Sequence, residues 1–535
     1  MTGRYDVIVV GGGHNGLVNA CYLAKAGLRT LVLEKRSVVG GAAITEELVP
    51  GFKFTTFSYA LSLIRPDIVQ DLDLANHGMK VLPLPHTFQV GRNGEYLVLG
   101  ADMYENFHEI ARHSIEDAEA YLDFNHMTER LCHAMKPLMD MIPPNNTSDH
   151  PDDLADMARL DEYLSGLDED LKELLDVIWR GSVSEILDRY FENELLKSLL
   201  ASSSIIGSKV GPRSPGSALV WLYHIIGEYD GVFGEWGFHK GGNGGFSAVL
   251  SKAAQSLGVD IRTAAEVDEV IVEEGSAVGV RLVDGEEITG STVVSALDPR
   301  RTFMQLVDPA LLPYDLRSAI GSMKFQGTAA KVNFALRGLP PFPGLEDRPE
   351  VFEGFTNIGP SIEYLETAFA DCEAGRFSER PFLDVCIQST LDPDMSPPGK
   401  HVMSCFVMYA PYHLRSEDGS IGDWDVEREQ LGDTVQETLE EFFPGFGDLI
   451  LHREIVTPLD IERTVGLTEG NIFAGELFAE QMFFNRPAPG WNQYRTPIEG
   501  YYQCGSGTHP GGCVIGGPGK LAATQILHDR NDQNA

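Results

Sequence analysis

Residues 5–34 read YDVIVVGGGHNGLVNACYLAKAGLRTLVLE, and few folds accommodate such a stretch. DVIVV is short, fully apolar and rich in β-branched side chains, the pattern of a strand buried in a parallel sheet. GGGHNG is a turn. LVNACYLAKAG carries apolar residues at helical spacing and runs into Gly27, a glycine placed to cap a helix. RTLVLE is a second strand, so the unit is strand–turn–helix–strand and predicts an α/β class. Gly11-x-Gly13-x-x-Gly16 alone would mean little. Here it follows a strand, opens a helix and is answered by Glu34 at the end of the next strand, the context of a dinucleotide-binding fingerprint. Gly11 permits the tight turn, Gly13 lets a pyrophosphate touch the backbone, and Gly16 allows close helix–strand packing. The free N–H groups and positive dipole end of the helix suit phosphate. Glu34 would accept from a ribose diol and repel a 2′-phosphate.

A second glycine pair, Gly40-Gly41, follows in EKRSVVGGAAIT. It suits a cofactor whose far half continues past the pyrophosphate, FAD rather than NAD. Arg36 reads either as further charge near the phosphates or as a surface arginine. The other dense cluster lies far along the chain: GTHPGGCVIGGPG, residues 507–519, has six glycines in thirteen positions. It reads as strand, glycine turn and helix, with Pro518 suited to a first helical turn. A helix N-terminus aimed at the ring end of the cofactor would stabilise negative charge on the reduced ring. The two clusters are thus expected to hold opposite ends of one cofactor.

With 535 residues, a prior of roughly 150 per domain suggests two to four domains, which can interleave. The formal charge of −38 argues against nucleic acid and against docking through a basic surface. Seven scattered cysteines include no CxxC pair, so neither a dithiol redox centre nor a zinc site is expected, and a reducing, cytoplasmic setting is the default. No run of roughly 20 apolar residues predicts a membrane span, and the strand beginning at Tyr5 leaves no room for a secretory leader.

Between the clusters the pattern changes. Residues 105–200 are helical and charged, with Leu171, Leu174, Leu175 and Ile178 on one face of DLKELLDVIWR. Residues 259–297 read as a β-meander with a hairpin turn at Asp284-Gly285. HVMSCFVMYA reads as a strand and VEREQLGDTVQETLEEFF as a helix.

The segments VIVVGGGHNGLVNACYLAKAGLRTLVLEKRSVVGGAAITEE, GGNGGFSAVLSKAAQSLGVDIRTAAEVDEVIV and YYQCGSGTHPGGCVIGGPGKLAA resemble the phytoene desaturase-like branch of the FAD-dependent amine oxidase and carotenoid desaturase superfamily. RPFLDVCIQSTLDPDMSPPGKHVMSCFVMYAPYHL and GELFAEQMFFNRPAPG are similar to one subgroup, the pyridine nucleotide-disulphide oxidoreductase domain-containing protein 2 family. The resemblance implies a Rossmann-type FAD-binding domain, discontinuous over residues 1–75, 230–300 and 455–535, interleaved with a substrate or lid domain over 76–229 and 301–454. It implies non-covalent FAD, held by Gly11, Gly13, His14, Asn15, Gly16, Glu34, Lys35 and Arg36, then by Gly41, Ala42 and Ala43, and at the ring end by Gly507 and Gly517. Val267 falls where members contact adenine through backbone atoms. Two departures stand out. Ala42 and Ala43 replace the arginine that many members carry after the second glycine pair, and no redox dithiol accompanies the fingerprint despite the subgroup's name.

The implied activity is dehydrogenation of a small apolar substrate, polyene or isoprenoid-like, by hydride transfer to flavin N5, with an acceptor that the sequence does not name. An amine or alcohol oxidase, a redox-neutral isomerase and a flavin-binding partner protein with little turnover stay open as alternatives. His509 is the catalytic candidate by its position in the second cluster, although a lone histidine is more often a structural hydrogen-bonding residue than a catalyst. Phe52, Phe54, Phe57 and Tyr59, together with Trp236 and Phe484, are either core or the wall of an apolar substrate channel. The helices of 105–200 are a solvated cover or a peripheral membrane-contacting surface, and the acidic composition favours the cover. Oligomeric state is not legible.

Overall fold

The apolar run at the start forms the strand Tyr5–Val10, the glycine turn leads into the helix His14–Lys25, and the next strand is Thr30–Leu33. These elements belong to a computed structural model that describes residues 4–229, 231–416 and 418–534. Gly27 follows the helix at φ +91°, as a glycine after a helix end commonly does. The predicted meander is present as the antiparallel strands Val267–Glu273, Ser276–Leu282 and Glu287–Ser295, with Gly285 at φ +91° in the turn.

The strand Glu287–Ser295 organises the first sheet. Its beginning pairs antiparallel with Ser276–Leu282, and its end runs parallel to Tyr5–Val10 on one side and Tyr501–Gln503 on the other. Val293 therefore sits in register between Ile8 and Tyr501. Thr30–Leu33 and Asp260–Arg262 extend the parallel part. The mixed α/β class expected from the first unit is the class observed.

A second seven-stranded sheet has the order Ile450–Val456, Ala329–Leu336, His401–Met408, Phe382–Cys386, Phe355–Ile358, His86–Val90, Tyr96–Gly100. All its pairings are antiparallel except His86–Val90 with Phe355–Ile358. Side chains alternate between its two faces. One face buries Val332, Phe334, Leu383, Val385 and Cys405 against Leu431, Val435 and Leu439 of the helix Trp424–Phe442. The opposite face carries, along one cross-strand row, Gln89, Asn357, Asp384, Phe406 and Lys331.

Helices from Met103 to Ile225 pack beside this second face, among them Glu169–Arg180, whose Leu171, Leu174, Leu175 and Ile178 are all buried as their spacing predicts. No helix among the described residues is long and apolar enough to cross a membrane.

Candidate functional site

One continuous cavity of about 800 Å³ runs from the first glycine turn to the row of side chains on the second sheet. At the glycine end its wall is built from Gly11, Gly13, His14, Asn15, Gly16, Glu34, Gly41, Ala42 and Ala43. The helix His14–Lys25 has no side-chain cap, and its first intrahelical bond runs from the Leu17 N–H to the Gly13 carbonyl. The N–H groups of residues 14–16 have no intrahelical acceptor and stand at the cavity. Buried Glu34 is fixed by the backbone N–H groups of Gly12 and Arg36, each donating to one carboxylate oxygen at 2.9 Å.

The three fingerprint glycines differ in what surrounds them. A Cβ on Gly16 would stand 2.1 Å from the Gly11 carbonyl oxygen, so Gly16 is demanded by packing. A Cβ on Gly13 would meet nothing nearer than the Gly41 Cα at 4.0 Å, and this open strip is where a pyrophosphate would lie against the backbone. Uncapped N–H groups, an open glycine strip and a fixed carboxylate together fit a dinucleotide.

The second cluster is built otherwise. A Cβ on Gly519 would fall 2.3 Å from the Asn15 carbonyl oxygen, one on Gly507 2.1 Å from the Pro299 ring, and one on Gly512 2.5 Å from the Phe473 Cα. The helix Gly517–Asn534 thus lies directly on His14–Lys25, and Asn19 Nδ2 donates to the Gly519 carbonyl at 3.0 Å. Fully buried Arg486 ties this region down by donating to the carbonyls of Phe473, Glu476, Gln481 and Ser506. The expectation that Gly507 and Gly517 would open towards a cofactor meets a different geometry: they are packed against protein, and Ser506, Cys513 and Val514 form the cavity wall instead. All seven cysteines are free, and burial pushes the Cys513 thiol up to about 12.

At the far end the cavity widens into a chamber bounded by Tyr59, Trp221, Phe233, Trp236, Phe355 and Phe406. Its floor is the row Asn357–Asp384–Phe406–Lys331. The Tyr59 hydroxyl donates to Asp384 Oδ2 at 2.9 Å, and the Lys331 ammonium lies 5.0 Å from the Tyr59 ring centre. Lys331 Nζ donates to the Thr55 carbonyl. Burial lowers Lys331 to about 7, against the opposing pull of Glu454. Burial raises Asp384 to about 7, with the Tyr59 hydrogen bond opposing it. His224 is fully buried on the chamber wall and burial lowers it to about 4.

Of the residues anticipated at the site, Lys35, Arg36, Val267, Gly507, Gly517, Phe484 and His509 do not line the cavity. Arg36 is paired with Glu46 at 3.0 Å. Val267 stands in the meander opposite Leu282. His509 is buried behind the wall, with Nε2 2.8 Å from the Leu138 carbonyl and its ring edge-on to Phe483. Its environment matches the structural role rather than the catalytic one. Tyr59 and Trp236 do reach the wall, whereas Phe52 and Phe54 are core. Lys331, Asp384, Asn357 and His224 were not anticipated; the signal available was a charged, amide or imidazole side chain inside the largely apolar runs AAKVNFAL, FLDVC, FTNI and LVWLYHI.

Comparison with known proteins agrees with this architecture. Residues 16–527 match the family described as flavin containing amine oxidoreductase. The chain is 38% identical to a mouse (Mus musculus) protein, pyridine nucleotide-disulfide oxidoreductase domain-containing protein 2, over 98% of this chain and 94% of that one. It is 25% identical to the lycopene-forming phytoene desaturase of Pseudescherichia vulneris over 97% of this chain and 98% of the relative. Among solved structures, cyclohexylamine oxidase from Brevibacterium oxydans shares the fold with a TM-score of 0.57 and 15% identity, covering 99% of this chain and 100% of that one.

Proposed function

The chain belongs to the flavin containing amine oxidoreductase family, and from that membership we propose that it is an FAD-dependent oxidoreductase that dehydrogenates a largely apolar substrate. One observation carries the reading: the glycine strip and the aromatic chamber are two ends of a single cavity, so a cofactor laid along the first would meet a substrate held in the second. Bound FAD would supply a two-electron acceptor for a hydride leaving a substrate C–H bond.

The chain's own residues would do the rest. The N–H groups of residues 14–16 and the bare backbone at Gly13 would hold the pyrophosphate, and Glu34 the ribose diol. Ser506, Cys513 and Val514 border the passage towards the chamber. Trp221, Phe355 and Phe406 would orient an apolar skeleton and keep water from it. The likeness to a phytoene desaturase supports an apolar substrate.

The test is an anaerobic titration of the purified protein, following flavin absorbance while detergent-solubilised polyenes, alcohols and amines are added in turn. Bleaching by a polyene or an alcohol is the expected result. Bleaching by amines alone would replace the reading with amine oxidation, and folded protein that carries no flavin and takes up none would end it.

A further inference from the structure

The chamber is apolar in area but not in its loose ends. Among the described residues of the cavity wall, where the His14, Asn15 and Ser62 side chains also keep an unpartnered polar atom, three more buried atoms lack a hydrogen-bond partner: Asp384 Oδ1, Asn357 Oδ1 and His224 Nε2. Each is an acceptor. Asp384 already receives the Tyr59 hydroxyl on its other oxygen. Ser202 Oγ spends its proton on the Leu199 carbonyl, so it accepts from Asn357 Nδ2, which leaves the Asn357 side-chain carbonyl without a donor. His224 Nδ1 lies 2.8 Å from the Val220 carbonyl and must donate there, so Nε2 carries a lone pair. Asn357 and Asp384 are direct cross-strand partners, so their side chains neighbour one another.

Resting on the reading of an oxidoreductase with an apolar chamber, we propose that the substrate is an apolar molecule bearing a hydroxyl group, and that Asp384, seconded by Asn357, is the anchor that receives its O–H. A bare hydrocarbon would seal these acceptors away from water with no partner, which costs roughly 1–3 kcal/mol for each. A carboxylate would add acceptors where acceptors already lack donors. An ammonium would share the chamber with Lys331 on the same sheet face, which burial lowers to about 7 and which carries its charge below that pH. A hydroxyl suits both states of a carboxyl raised to about 7, donating to the carboxylate and accepting from the acid.

The test uses the purified protein with whatever flavin it carries and reads binding by the fluorescence of Trp221 and Trp236, both on the cavity wall. The probes are 1-octanol, n-octane, octylammonium, octanoate and 2-octanone. In Asp384→Leu, affinity for 1-octanol should fall roughly ten- to a hundredfold, while that for n-octane holds or improves. Asp384→Asn keeps an oxygen for Tyr59 and turns an N–H towards the chamber. It should shift preference from 1-octanol to the acceptor-only 2-octanone, so the inference stays testable if the leucine variant does not fold. Loss of octane and octanol binding in parallel, octanol binding indifferent to both substitutions, or tighter binding of octylammonium or octanoate would overturn it. Flavin absorbance of the same samples separates the two readings. Flavin-free protein that still discriminates octanol through Asp384 keeps this inference and loses the proposed activity. Flavin-loaded protein without discrimination does the reverse.

Discussion

The two glycine clusters have similar composition and opposite physical roles. Around Gly13 and Gly41 an added Cβ would meet no atom closer than 3.4 Å, so these glycines keep a surface bare. Around Gly507, Gly512 and Gly519 it would run into protein at 2.1–2.5 Å, so these glycines let segments of the chain touch. Gly16 shows that one turn can contain both kinds. Glycine density reports close approach; only the surroundings say whether the approaching body is a ligand or another backbone.

The largest effect expected from this contrast falls on the packed cluster. Arg486→Met would strand the carbonyls of Phe473, Glu476, Gln481 and Ser506 in the interior. A loss of about 3–5 kcal/mol is expected in urea unfolding, and a loss below about 1 kcal/mol would show that the segment is not held this way.

Gly519→Ala should come next, with about 1–3 kcal/mol lost to overpacking against the Asn15 backbone. Its counterpart in the open turn, Gly13→Ala, should leave the melting temperature of flavin-free protein unchanged while weakening FAD retention about tenfold or more, read by flavin titration. Equal melting losses in the two variants would erase the distinction between the clusters.

The smallest effect is one of pH. Burial holds His224 near 4 and His509 near 3, both below the ordinary imidazole value of 6.5. The unfolded chain therefore takes up these two protons first as pH falls. Stability is fully present above about 6.5 and is lost as pH drops through 6.5 towards the folded values. Buried Asp384 and Glu476, raised to about 7 and about 8, act in the opposite sense, so the readable effect is a difference: as pH falls over 6.5–4.5, the urea midpoints of His224→Gln and His509→Gln should each gain on that of the parent protein.

The glycine end of the site was legible because its parts are neighbours in sequence: the turn, the helix start and Glu34 all lie within 5–34 and obey a spacing. The helical face of Leu171 to Ile178 and the meander were legible for the same local reason. The chamber was not. Asn357, Asp384, Phe406 and Lys331 come from four strands and meet only through cross-strand register, which no local pattern encodes. A lone charge in a run as apolar as AAKVNFAL or FLDVC was the available signal, since a strand buried on both faces has no solvated side on which to place it. For His509 the sequence offered only position in the chain as the case for catalysis, and in space the ring is held by the Leu138 carbonyl and Phe483, as the structural reading has it.

The strand Glu287–Ser295, with Val293 between Ile8 and Tyr501, also sets an order of events during synthesis. A ribosome that has just joined residue 300 has synthesised every strand of the parallel sheet except the neighbour at 501–503. Until about two hundred further residues emerge, one edge of that strand stays unpaired and the helix His14–Lys25 keeps bare the flank that the helix Gly517–Asn534 will cover. Such long-range closure slows folding and exposes apolar surface meanwhile. Closing the sheet and closing the cavity wall thus wait on the same late segment, and a polypeptide stopped short of residue 500 would lack both the last strand and the wall at Ser506, Cys513 and Val514.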